Sequence, residues 1–275
     1  MSITSISSES SSLNKIVKAL CIALVVTVWT STLIFGLYIL AFYGVSWYEG
    51  NLEEWNMGLP NLHDPEEKAA NAGIGLHFVM GGIILILGCI QLLEKIRVHF
   101  PVFHRWVGRI YVVACLLAAV GGLVFIFQKG TIGGTVMNIG FALYGILMFL
   151  AAIQTWRFAM KKQFEQHRVW AIRLFALAIG SWLYRMAYGL WIFLMDGVGI
   201  ADFYGPFDYV MDFAFYIPNL IIAEIFIRKQ QVLQSVPLKI GATLILSVST
   251  GLLVLATYFF TLHYWSPPII ELFQG

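Results

Sequence analysis

The chain has 275 residues, 59% of them hydrophobic and only 12% charged, against about 25% charged in soluble domains. So little charge cannot cover a water-facing surface, so most of the outside must face lipid. A net charge of +2 is too small to argue for nucleic acid. The three cysteines, Cys21, Cys89 and Cys115, sit inside apolar runs with neither disulfide nor zinc spacing.

Residues 1–18 form a polar, Ser-rich tail with too little apolar content to fold alone, and are expected to be disordered and cytoplasmic. An uncharged run from Ala19 to Tyr48 follows. It is longer than a signal-peptide core and has no small-residue cleavage site, so it reads as a retained first span. An acidic loop completes the region 19–72, with Trp47, Tyr48 and Trp55 suited to a membrane–water interface. Asp64-Pro65-Glu66-Glu67 reads as a helix start: a capping Asp, a first-turn Pro, then acids facing the positive dipole end.

Six further apolar runs lie at about Gly73–Leu93, Val107–Phe127, Val136–Trp156, Val169–Met195, Tyr209–Ile227 and Ile240–Leu262. Each is near the ~20 residues that cross a bilayer as a helix, and none alternates with period two. The expected fold is all-α, a polytopic integral membrane protein with seven transmembrane helices. Residues 73–195 would form a four-helix core, and 196–275 an outer loop and two final helices.

Basic residues set the expected orientation. With the N-terminus inside, thirteen of the seventeen Lys and Arg, among them Lys15, Arg105, Arg168, Lys229 and Lys239, fall on inner segments. Only Lys68 and Lys129 fall outside, while Arg173 and Arg185 lie within a span. That bias places the C-terminus outside.

Polar groups within a membrane are costly and default to functional candidates. On the second helix, His77, Gly81, Ile84, Gly88 and Gln91 share one stripe. On the third, His104, Gly108, Tyr111, Cys115, Ala119 and Gly122 do the same. Such small-residue stripes either let two helices approach closely or leave room for a flat ligand. The fifth helix carries Arg173, Ser181, Tyr184 and Tyr188 on one face, with Arg185 on the flank. The sixth carries Asp212, Tyr216 and Asn219, with Glu224 to the side and Pro218 breaking the middle. By depth Arg173 and Glu224 are expected to pair, as a structural ion pair or part of a proton or ion path.

His104-Arg105 and His167-Arg168 stand at the same inner level at the starts of the third and fifth helices, as a weak internal repeat. Two imidazoles at one depth suit axial ligation of a haem iron, with the arginines on the propionates; the plainer reading is a pair of interfacial anchors. His77 lies at the other surface, where helices three to six offer no second histidine, so a four-histidine, two-haem set cannot form. His63, His99 and His263 read as bland. No Ser-His-Asp set, HExxH, P-loop or GxGxxG is present, and enzymatic activity is left open.

The order His77…Gly81…Gly88…Gln91, Arg97, His104-Arg105…Gly108-Arg109…Tyr111, then His167-Arg168…Trp170…Ile172-Arg173 resembles the bacterial family of predicted membrane proteins termed domain of unknown function 2306, over about Gly73 to Tyr188. The resemblance implies a multi-pass protein of the bacterial plasma membrane. A looser likeness is to the transmembrane bundles of cytochrome b and ferric reductases.

Three functions follow as expectations. The first is electron transfer with haem b or a quinone, using His104 and His167 as iron ligands. His77, Gln91, Arg105, Arg109, Tyr111, Arg168 and Arg173 would complete its binding set. The second is a transporter or small-molecule-binding membrane protein whose polar path runs through Arg185, Asp212, Asn219 and Glu224. A structural or accessory subunit is the third. The bilayer is the one partner common to all.

Overall fold

The computed structural model describes residues 3–228 and 236–274. Lys229, counted above among the inner basic residues, lies outside them. Seven helices are long and apolar enough to cross a membrane. We name them α1 (Leu13–Glu49), α2 (Lys68–Gln91), α3 (Pro101–Gln128), α4 (Gly134–Met160), α5 (Phe164–Met195), α6 (Pro206–Arg228) and α7 (Val236–Gln274). No strand occurs among the described residues. The helix of α1 begins at Ile3, inside the Ser-rich stretch whose composition argues for disorder.

The helices pack largely in chain order. α2 lies along α3, α3 along α4, and α4 along the first half of α5. α1 packs on α2 and α7, and α6 lies against α4 and α5. Glycines set the closest crossings. A Cβ on Gly73 of α2 would stand 2.8 Å from the Gly121 carbonyl of α3, and one on Gly36 of α1 3.0 Å from the Gly82 carbonyl of α2. Without a hydrophobic drive between helices in lipid, such backbone contact is how spans gain packing energy. Ile22 and Val26 of α1, Ile139 and Leu150 of α4, and Leu244 and Val248 of α7 are exposed. An apolar perimeter around a bundle is what a lipid solvent requires.

Two aromatic-rich cores result. Tyr111, Cys115, Tyr144, Leu174 and Phe215 fill the space among α3, α4, α5 and α6. Phe35, Tyr43, Trp55, Trp182 and Trp265 fill the space among α1, α2, α5 and α7. Trp55 corrects the interfacial expectation: the loop after α1 folds back and buries it fully (0% exposed), with Nε1 donating to the Tyr43 carbonyl at 3.2 Å. The Asp64–Glu67 segment is also corrected. It forms a turn in which Asp64 Oδ1 accepts from the Glu66 amide at 3.1 Å, and the helix starts only at Lys68. Asn71 closes that turn by donating to the Asp64 carbonyl at 2.6 Å.

Four spans are irregular. α1 contains a π turn at Leu40–Gly44, and α7 another at Thr261–Trp265. α5 breaks at Ile179. α6 breaks after Ala214, just ahead of Pro218 as the sequence predicts, because proline removes an amide and crowds the preceding turn. Asn219 Nδ2 then donates to the Phe215 carbonyl at 2.9 Å, supplying a side-chain donor at the break.

Candidate functional site

Between the spans lies a cavity of about 1110 Å³, lined by residues from all seven helices. Ligand sites of globular proteins run to about 1,000 Å³, so this one is large. Its rim includes Asn61, Thr131 and Phe203, from the loops joining α1–α2, α3–α4 and α5–α6. It therefore opens at the end of the bundle that carries the acidic loop. Both π turns contribute wall residues: Phe42 from α1, and His263, Tyr264 and Trp265 from α7. π turns are frequent at functional sites because they push side chains out of helical register.

Most of the wall is apolar, and its polar members are few. His77 enters from α2 where the glycine crossing brings α3 close. Its Nδ1 lies 2.8 Å from the Ala118 carbonyl. A carbonyl only accepts, so Nδ1 carries the proton and Nε2 is left without that duty. Gly122 gives the ring its room: a Cβ there would meet Nδ1 at 3.0 Å. Arg185 enters from the second half of α5, its guanidinium carbon 5.6 Å from the centre of the Phe35 ring. By residue count His77 lies about 14 Å along α2 from Lys68, and Arg185 about 15 Å along α5 from Met195.

Beside Arg185 a short hydroxyl relay leads out of the cavity. Tyr184 donates to Tyr188 at 3.2 Å, and Tyr188 donates to Asp208 Oδ1 at 2.6 Å. Asp208 Oδ2 accepts the Ala201 and Gly205 amides at 3.0 and 2.9 Å. Asp208 thus holds the loop between α5 and α6 to the top of α6. It does not line the cavity; among the described lining residues there is no Asp, Glu or Lys.

The stripes on α2 and α3 face each other, as close contact over most of their length. A Cβ on Gly88 would meet the Tyr111 ring at 3.1 Å, and one on Gly108 would meet Gln91 Oε1 at 2.9 Å. Gly81, which has nothing within 4 Å of a Cβ, opens into the cavity, and His77, Ala119 and Gly122 of the same stripes line it as well. Gln91 Nε2 is buried in the contact without a hydrogen bond.

His104 and His167 both lie at the opposite end of the bundle, near the starts of α3 and α5. His167 Nδ1 lies 3.0 Å from the Thr155 carbonyl, while His104 Nδ1 is buried without a partner. Arg105 and Arg168 point outward and are exposed, and Arg109 lies over the Trp106 ring at 5.0 Å. No group of three or more metal-ligating side chains gathers among the described residues. The cavity does not reach either histidine.

The remaining candidates do not form one path. Arg173 pairs with Glu224 as depth predicts, and its guanidinium also lies over Trp170 at 4.5 Å. Glu224 accepts a second bond from Arg228 Nε at 3.1 Å. Asp212 is fully buried, with neither carboxylate oxygen hydrogen-bonded, and lies outside the cavity wall. Of the intramembrane polar set, only Arg185 faces the cavity. Sequence reasoning left His263 aside because it compared His77 only with helices three to six. The seventh span ends at the same surface as the start of the second, and that level alone would have brought His263 forward.

Seven apolar helices around an internal cavity define a polytopic helical membrane protein. The chain belongs to the family described as predicted membrane protein, DUF2306, whose model matches residues 74–227. The match covers the second to sixth spans and so takes in His77, the His-Arg pairs and Arg185. No curated protein and no solved structure matches the chain.

Proposed function

We propose that this protein binds, or carries, a lipophilic small molecule within the bacterial plasma membrane. The observation that carries this reading is the cavity of about 1110 Å³ shared by all seven spans. A bundle built only for packing would close such a space, because an empty volume forfeits dispersion contacts on every wall. The polar groups that line it, His77, Arg185 and Tyr184 among them, are few and set in apolar surroundings. That is the pattern of sites that bind an apolar body and orient one polar end.

Gly81 provides the test. A Cβ there meets nothing within 4 Å, and Gly81 lines the cavity, so Gly81→Phe adds bulk to the cavity from an open position. Wild type and Gly81→Phe are purified in mild detergent and compared by native mass spectrometry and by analysis of the extracted lipids. The expected result is a bound lipophilic species that Gly81→Phe loses while keeping its melting temperature. The same bound species in both proteins, or none in either, would end this reading.

Electron transfer through haem b or a quinone is a second reading, supported by His104 and His167. A backbone carbonyl on His167 Nδ1 leaves Nε2 as the free ligating atom, the usual arrangement for a metal-bound imidazole. Haem, if bound, supplies one-electron chemistry there. A reduced-minus-oxidised spectrum of protein made with ample haem checks it: no Soret band, or one that survives His104→Ala and His167→Ala, defeats that assignment.

A further inference from the structure

We infer that the cavity's ligand is a singly charged amphipathic carboxylate whose head group is held by Arg185. The inference rests on the cavity reading above and goes on to name its ligand's chemistry. Its starting point is an imbalance of charge. Arg173 and Arg185 both lie on α5. Arg173 has Glu224. Arg185 has no carboxylate at ion-pair distance among the described residues, although it faces the cavity about 15 Å along α5 from its Met195 end.

The three acids of α6 are otherwise engaged or turned away. Asp208 is taken up by Tyr188 and two backbone amides. Asp212 does not line the cavity, and Glu224 is shared by Arg173 and Arg228. The Arg185 guanidinium lies over the Phe35 ring. A guanidinium in an apolar wall keeps its charge and its five donors, and burial makes a missing counter-ion expensive. A ligand that brings the counter-ion is therefore bound with the full difference in its favour.

The charge count narrows the ligand class. Arginine is the one permanently charged group on the described wall. His77 donates through Nδ1 to Ala118, so its neutral form offers only a bare Nε2 and no further donor to an anion. One positive charge balances one carboxylate, which also matches the fork of the guanidinium in bidentate geometry. A phosphate monoester carries about −1.5 to −2 and would be left undercompensated. The apolar remainder of the cavity takes the hydrocarbon tail.

The test uses the full-length protein in phosphatidylcholine nanodiscs, titrated with radiolabelled palmitate, methyl palmitate and hexadecyl phosphate. Palmitate is expected to bind saturably and about tenfold or more tighter than the ester, a gap of at least one pair-sized interaction. Arg185→Gln should weaken palmitate about tenfold and so close most of the gap between acid and ester, while its melting temperature shows that the variant is folded. Arg185→Lys should fall between, since it keeps the charge and loses the fork. Gly81→Phe should abolish binding of both. Equal affinity for acid and ester, wild-type palmitate binding by Arg185→Gln, or tighter binding of hexadecyl phosphate overturns the inference and leaves the cavity reading standing. Binding of neither acid nor ester by wild type, or binding that Gly81→Phe does not alter, overturns both.

Discussion

Arg173 and Glu224 form an ion pair between α5 and α6, although 51 residues separate them in sequence. The pair lies toward the end of the bundle where the basic turns gather, and its side chains are only 22% and 31% exposed. Trp170 covers one face of the guanidinium, and Arg228 takes the second carboxylate oxygen. Each arrangement keeps a charge from facing lipid alone. The pair also ties the lower half of α6 to α5 just beyond the Pro218 break, where the helix has lost a backbone hydrogen bond.

Glu224→Arg should therefore destabilise the protein by about 1–3 kcal/mol. That is less than the ~3–5 kcal/mol of a fully buried broken pair, because both partners are partly exposed. Combining it with Arg173→Glu should recover part of the loss. Recovery stays incomplete because Arg228 would then face the introduced guanidinium rather than a carboxylate. Thermal unfolding in detergent measures both steps; a double variant no better than Glu224→Arg alone would show that the contact contributes nothing.

The two glycines Gly121 and Gly81 should respond in opposite ways to the same change. A Cβ on Gly121 would run into the Gly73 carbonyl and the His77 amide nitrogen, which are backbone atoms that cannot swing aside. Gly121→Ala should force α2 and α3 apart and cost about 1–3 kcal/mol, as overpacking does. Gly81→Ala meets open space, and alanine restrains a helix better than glycine. It should be neutral or stabilising by about 0.5–1 kcal/mol. Melting temperatures of the two variants check this, and a destabilised Gly81→Ala would mean that the space beside it is not open.

Much of the fold was legible in the sequence because lipid imposes so few solutions. Runs of ~20 apolar residues must be helices, and all seven are present with similar bounds. The Arg173–Glu224 pair and the Pro218 break were legible too, since depth and proline chemistry are local properties. The cavity was not. It depends on which faces seven helices turn toward one another, and a stripe on one helix does not say what stands across from it. The glycine stripes show the difficulty: on α2 the same repeat packs against α3 at Gly88 and opens to the cavity at Gly81. Trp55 went astray for a related reason. An aromatic near a span end suits an interface, but here the loop folds back and makes it core. His263 escaped because helix seven was not compared with helix two.

Tyr188 and Asp208 offer a last test, of how the loop over the cavity is held. The Asp208 side chain satisfies three donors, the Tyr188 hydroxyl and the amides of Ala201 and Gly205. Tyr188→Phe removes one of these bonds and should cost about 1.5–3 kcal/mol, the range for a bond to a charged group. Asp208→Asn keeps one carbonyl oxygen for the two amides and puts an NH2 donor where Tyr188 now donates; the tyrosine oxygen can accept from it. A neutral bond then replaces the charge-assisted one, so Asp208→Asn should cost less than Tyr188→Phe, and the double variant should cost about as much as Tyr188→Phe alone, because the tyrosine bond is absent in both. Asp208→Ala loses all three and should fall well below them in melting temperature. Hydrogen exchange gives an independent reading: the Ala201 and Gly205 amides should stay protected in Tyr188→Phe and exchange rapidly in Asp208→Ala. Additive losses in the double variant would mean that the Tyr188 hydroxyl stabilises the loop by a route other than Asp208, and no loss in Tyr188→Phe, which keeps the ring, would mean that packing on Phe207, 5.1 Å away, carries the contact.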